Sequence, residues 1–368
     1  MKFMTKGAVL LMPMFALATP ALAAPPATLN NSNQPGSAIV FPKFVNLPQV
    51  TVNGNLVSRS EIEIGVVCPA GLICPVGTNV NVQFRWVCPG AEDVNSNICP
   101  EADFEITTLT VNGKRAFSAD GIPINAASPT VPPAPCPRGY LIGWVETADG
   151  QPVKFDALIG NAVIRGQALT AGPEAGSSTA VSAYNAIPIQ ANTVDPYPYP
   201  GGVVPVSGPT APELMLAFDG GSGHYQQLTQ WQVGDVRFDK TAPGGPPPDV
   251  FSVTALIFLT LDVTSGQPNN PVFLPLAFYN EDEVVTSFEG YEFVCWDQPA
   301  LSFLAGGSLT QLQQGTRKGI VLAGPATKLG GIPGPATLIG LVETNEGTAA
   351  NGFTERKYNF NMVSPFVP

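Results

Sequence analysis

The chain has 368 residues, with 28 acidic against 17 basic and a net charge of −11. Such a surface, acidic and poor in Lys and Arg, excludes nucleic acid as a partner and excludes charge-driven binding to anionic lipid. Hydrophobic residues at 44% and charged ones at 12% exclude general disorder, and 38 Gly with 39 Pro, lacking a collagen period, imply the many turns of an all-β protein.

The N-terminus reads as a targeting segment. Lys2 and Lys6 precede an apolar run from Gly7 to Ala18, and "TPALA" ends on the small residues Ala21 and Ala23. This predicts a signal peptide over residues 1–23, cut after Ala23, and an exported chain that is periplasmic, cell-surface or extracellular. The run is too short to span a bilayer. Losing Lys2 and Lys6 leaves the mature chain still more acidic.

Strands follow in quick succession. "AIVFPKFV" (38–45) is the first. In "SEIEIGVVC", Ile62, Ile64 and Val66 point inward while Glu61 and Glu63 point outward. In "NVNVQFRWVC", Val80, Val82, Phe84, Trp86 and Cys88 share one face. "DFEITTLTV" (103–111) and "PVKFDALIG" (152–160) complete the predicted strands of the first half apart from "YLIGWVET", treated below. Residues 191–212 then form a Pro-rich linker, which resists both helix and central strand.

Beyond it, "FSVTALIFLTLDV" (251–263) holds eight uncharged residues, Thr254 to Leu261. They are too few and too β-branched for a transmembrane helix and read as a buried central strand. "SLTQLQQGTRKG" (308–319) predicts one or two helical turns, limited by Gly315. "RKYNFNM" alternates Tyr358, Phe360 and Met362 as the last strand.

One strand is written twice. "LIGWVET" starts at Leu141 and "LIGLVET" at Leu338, 197 positions on, while Cys99 and Cys295 lie 196 apart. Glu92-Asp93 and Glu281-Asp282 precede those cysteines, after the apolar stretches "VQFRWV" and "VFLPLAF". The agreement predicts a duplication: two tandem antiparallel β-sandwich domains, residues 36–190 and 213–368. Leu141, Gly143 and Val145 share one face of the first motif, and Tyr140, Ile142, Trp144 and Glu146 share the other. Bulk on both faces implies a central strand covered on both sides, with the neighbouring domain as one cover. Gly143 and Gly340, mid-strand, imply a bulge or the close approach of another backbone.

Six cysteines in an exported chain predict disulfides. The short loop "CPAGLIC" pairs Cys68 with Cys74. The pairing of Cys88, Cys99, Cys136 and Cys295 stays open, except that Cys295, alone in its half, must reach the first half or another molecule if all are oxidised. Zinc is disfavoured, since five of the six cysteines precede Pro and the single His224 is distant.

Candidate chemistry is sparse. Asp93, Asn95 and Asn97 alternate in "EDVNSNICPEAD", a spacing at which oxygen ligands converge on Ca²⁺, but Ile98 and Phe104 stand where an EF-hand needs Gly and Glu. "NEDE" (280–283) reads as a solvated turn. His224 has Ser222 and Asp219 nearby, yet a triad is assembled across a fold and there is no nucleophile elbow. A catalytic pairing of Glu146 with Glu343 has nothing in sequence to bring the two together. Trp86, Trp144 and Trp296 read as core. Trp231, among glutamines, reads as exposed, and is too solitary to make a sugar platform.

"GSAIVFP" (36–42), "FDALIGNAVI" (155–164), "AYNAIPIQ" (183–190) and "FVCW" (293–296) resemble a loose group of uncharacterised secreted bacterial β-rich proteins. The resemblance implies export and architecture and carries over no activity. The sequence therefore predicts a non-enzymatic structural or surface-adhesive protein that needs no cofactor and meets itself or cell-surface components. A carbohydrate- or Ca²⁺-binding module is the alternative, and a hydrolase built on acidic residues the third reading.

Overall fold

In the computed structural model, residues 34–46, 58–90, 99–148, 150–167, 179–191, 216, 218, 225, 231–237, 250–261, 271–305, 318–329, 336–348 and 352–359 are described. Residues 1–23, predicted as a signal peptide, most of the predicted linker and residues 308–317 of the predicted helix at 308–319 lie outside them, while Lys318 and Gly319 are strand. The first half contributes β1 (Ala38–Val45), β2 (Ser58–Val66), β3 (Asn79–Val87), β4 (Glu101–Thr110), β5 (Lys114–Ser118), β6 (Arg138–Glu146), β7 (Leu158–Gln167), β8 (Thr179–Asn185) and β9 (Ile187–Ile189). The second contributes β10 (Trp231–Arg237), β11 (Val250–Thr260), β12 (Val272–Asn280), β13 (Val285–Phe293), β14 (Trp296–Asp297), the short helix α1 (Leu301–Ala305), β15 (Lys318–Ala323), β16 (Thr327–Lys328), β17 (Leu338–Thr348) and β18 (Gly352–Asn359).

These strands make four sheets, every pairing antiparallel, and no sheet mixes the halves. In the first half, sheet β4-β3-β6-β1-β9 faces sheet β5-β2-β7-β8. In the second, β14-β11-β17-β18 faces β10-β15-β12-β13. Each pair encloses an apolar core. Ile39, Phe41, Ile62, Phe84, Trp86, Leu141 and Ile164 fill the first, and Trp231, Phe258, Leu274, Phe278, Val321 and Val342 fill the second. The fold is two antiparallel β-sandwiches in tandem.

A third core lies between the sandwiches. Val40, Tyr140, Ile142 and Trp144 of the first meet Ile257, Leu259, Trp296, Ile339 and Leu341 of the second. The motif strands sit at the middle of the stack. Leu141 and Val145 enter the first core while Ile142 and Trp144 enter the seam. Likewise Leu338 and Val342 enter the second core while Ile339 and Leu341 enter the seam. Period-two alternation with apolar residues in both phases thus buries β6 from Gly139 to Glu146.

The mid-strand glycines admit aromatic rings, not backbone. A Cβ on Gly143 would stand 2.5 Å from the Phe84 ring, and one on Gly340 2.5 Å from the Trp231 indole. That also corrects the reading of Trp231 as exposed. It is buried at 1% exposure, edge-on to Phe258, because Gly340 leaves it room beneath β17. "PVKFDA" is likewise not strand. β7 begins only at Leu158, since the Ala157 and Leu158 amides both donate to the Gly36 carbonyl.

The two motif sheets share an order but not a chain path. In β4-β3-β6-β1 and β14-β11-β17-β18, the motif strand is third, and the outermost strand follows the matched cysteine. Yet β1 precedes its motif strand and β18 succeeds its own. "VQFRWV" lies in β3, beside β6, whereas "VFLPLAF" lies in β12, in the sheet that β17 does not join.

Candidate functional site

The seam is fixed by more than apolar contact. Cys99 and Cys295 form a disulfide, joining the two positions that the motif offset aligns. Cys68 pairs with Cys74 and Cys88 with Cys136, so no cysteine is free. The Tyr140 hydroxyl donates to the Thr260 carbonyl at 2.8 Å, the Trp296 indole N–H donates to the Pro42 carbonyl at 2.8 Å, and the Gly90 amide donates to the Val294 carbonyl at 3.1 Å.

A buried ion pair completes it. β1 shifts register between Phe41 and Phe44, and the irregularity holds Lys43. Its ammonium contacts the Glu343 carboxylate of β17, both side chains only 4% exposed. The Gln298 amide donates to the other Glu343 oxygen at 3.2 Å. The Tyr184 hydroxyl caps the Lys43 carbonyl, and burial pushes the Tyr184 phenol above its ordinary range.

The twin glutamate is placed otherwise. Glu146 ends β6 on the seam face, 7% exposed, and among the described residues its Oε1 has no hydrogen-bond partner. Burial, with smaller repulsion from Glu105 and Asp103 of β4, pushes its carboxyl up to about 7. Glu343 faces Lys43 and Gln298 instead, so the two glutamates have different neighbours and show no shared site.

A well-formed cleft lies on the outer face of sheet β5-β2-β7-β8. It encloses about 550 Å³, within the roughly 300–1,000 Å³ usual for small-ligand sites. Strand register builds its floor. Glu63, Asn161 and Asn185 stand side by side on β2, β7 and β8, and the next row is Lys114, Gly65 and Ile159. Alternation sends Ile62, Ile64, Ala162 and Ile164 into the core, so these polar residues face out. Gly65 puts no side chain into the cleft. The turn at Asn112 and Gly113 forms one wall, pinned by the Asn112 amide on the Val66 carbonyl at 2.7 Å.

Beside this cleft, Val66 and Val67 lead into the loop closed by Cys68–Cys74. Its tip holds Leu72 and Ile73 in solvent, with Ile73 at 95% exposure, and Val76, just past Cys74, is exposed as well. A disulfide across so short a loop keeps such a tip from collapsing onto the sandwich.

The Ca²⁺ candidates Asp93, Asn95 and Asn97 lie outside the described residues, as do His224, Ser222 and Asp219. Among the described residues, no group of three or more His, Cys, Asp or Glu is placed to hold a metal. "NEDE" is the β12–β13 turn, where Asn280 Oδ1 accepts the Asp282 and Val284 amides. The cleft escaped sequence reading because its polar residues come from four separate strands and turns. The outward phase of "SEIEIGVVC" did mark Glu63 as solvent-facing.

No family model matches the chain, and no curated protein does. Among solved structures, the viral chemokine binding protein R17 encoded by rodent gammaherpesvirus Peru aligns over 86% of this chain and 84% of its own. The identity is 11% and the TM-score 0.11. A likeness that weak bears on neither fold nor function. No described helix is long and apolar enough to cross a membrane.

Proposed function

We infer that this is an exported, non-catalytic protein with a structural or surface-adhesive role. The observation that carries the reading is the seam. Two sandwiches are tied across a continuous apolar core by a disulfide and a buried ion pair, which makes a stiff stack rather than hinged domains. Oxidation of all six cysteines supports export, since disulfides persist outside the reducing cytoplasm. The stapled apolar tip at Leu72 and Ile73 supports contact with another surface.

Intact cells of the source, probed with antibody to the mature chain, test the reading. Surface labelling, and retention of the chain on washed cells, are expected. A chain that is wholly free in the medium and adheres to nothing would overturn it.

A further inference from the structure

We propose that the cleft on sheet β5-β2-β7-β8 binds a neutral, hydroxyl-rich ligand, a saccharide, and that this is the contact through which the protein adheres. The proposal rests on the adhesive reading above and names the ligand class for it.

Charge is the first argument. The chain carries a net −11, yet the cleft is lined by one acid and one base, Glu63 and Lys114, which pair with each other at 3.0 Å. A cleft without net charge offers no field to a phosphate, a sulfate or a metal ion. The second argument is donor type. Its other polar side chains are the amides of Gln34, Asn112, Asn161 and Asn185. Each carries a donor and an acceptor at fixed geometry, the complement of a hydroxyl that both gives and accepts. Among the described residues, Asn161 and Asn185 make no side-chain hydrogen bond within the protein, although they stand in register on neighbouring strands. Their hydrogen-bonding capacity is left to solvent or ligand.

The third argument separates a saccharide from a peptide. The cleft lies mainly over β2 and β7, the two inner strands of its sheet, whose backbone groups are paired on both sides. The outer strands β5 and β8 line it only with Lys114 and Asn185, so the ligand meets a sheet face, whereas an added peptide strand needs an edge. Recognition must run through side chains over a small apolar floor, Gly65, Ile159 and Ala186, which suits the C–H face of a sugar ring. With no aromatic platform in the lining, single-site affinity is weak, and adhesion draws on many copies at one surface.

The test uses the full mature chain on an array of neutral, sulfated and phosphorylated oligosaccharides and peptides, with a parallel assay of adhesion to whole cells. Wild type is expected to retain neutral glycans. The double variant Asn161→Ala/Asn185→Ala is expected to lose about tenfold or more of that binding and to adhere correspondingly less. Arg165→Ala, on the same sheet face but outside the cleft, is expected to bind as wild type. Unchanged melting of the double variant excludes misfolding. Retention of only charged glycans or only peptides, of nothing, or of neutral glycans equally by wild type and double variant overturns the proposal. Undiminished adhesion by the double variant sinks the cleft and leaves the adhesive reading standing. Cleft-dependent glycan binding without adhesion to any cell does the reverse.

Discussion

Removing the Glu343 carboxylate takes the opposite charge away from the buried Lys43 ammonium inside the seam. Both side chains are 4% exposed, so neither charge is repaid by water once its partner is gone. Breaking such a pair costs about 3–5 kcal/mol, against about 0–1 kcal/mol for a surface pair. For domains of roughly 150–250 residues each kcal/mol moves the melting midpoint by about 2–4 °C, so Glu343→Ala is expected to lower it by roughly 6–20 °C. The double change Lys43→Met/Glu343→Leu removes both charges and keeps the volume. It is expected to return to within about 1 kcal/mol of wild type or to exceed it. Calorimetry on the oxidised chain, run as a double-mutant cycle, measures the coupling directly. A loss under about 1 kcal/mol for Glu343→Ala, with no recovery in the double variant, would refute the burial of this pair and with it the seam.

Three further outcomes follow from the same structure. Glu146 titrates near 7 when folded and near the ordinary 4.5 when unfolded, so the folded chain holds the extra proton between those values. Its contribution is complete below about pH 4.5 and is lost as pH rises through about 7, by about 3 kcal/mol at most. Denaturation at pH 5 and pH 8 should therefore show Glu146→Gln gaining on wild type at the higher pH, and parallel pH profiles would contradict this. Gly143→Ala and Gly340→Ala each drive a Cβ to 2.5 Å from an aromatic ring, and each should cost about 1–3 kcal/mol of stability in urea titrations; neutral substitutions would disprove the ring contacts. An engineered protease site among residues 192–215 should yield two fragments that run as one band on a denaturing gel until dithiothreitol breaks Cys99–Cys295. Two bands without reductant would show the crosslink to be absent.

Much of the architecture was legible where periodicity was strong. Alternation in "SEIEIGVVC" and "NVNVQFRWVC" sorts β2 and β3 into an inner and an outer face, and both are so placed. Apolar residues in both phases of "YLIGWVET" implied cover on both sides, and β6 is buried throughout the motif up to Glu146. The Thr254–Leu261 run is buried, as an uncharged strand must be. The rest depended on partners distant in sequence. The buried Lys43 interrupts an apolar strand, and its explanation, Glu343, stands 300 residues away. Trp231 reads as exposed from the polar run of sequence around it, whereas its burial depends on Gly340 across the core. The cleft was invisible for a like reason. Asn112, Asn161 and Asn185 come to line one cleft only once the strands and turn that carry them meet in a sheet.

The bond between Cys99 and Cys295 sets an order of events for the growing chain. A polypeptide delivered from its N-terminus presents Cys68 and Cys74 together, and Cys88 and Cys136 soon after, with Cys99 lying between those last two. Cys99 must then wait through most of synthesis for its partner, 196 residues behind it. Pairing cysteines simply as they arrive would join Cys88 to Cys99 and leave Cys136 for Cys295. The native pattern therefore calls either for folding of the first sandwich ahead of oxidation, which sets Cys88 against Cys136, or for a disulfide isomerase that repairs the early error.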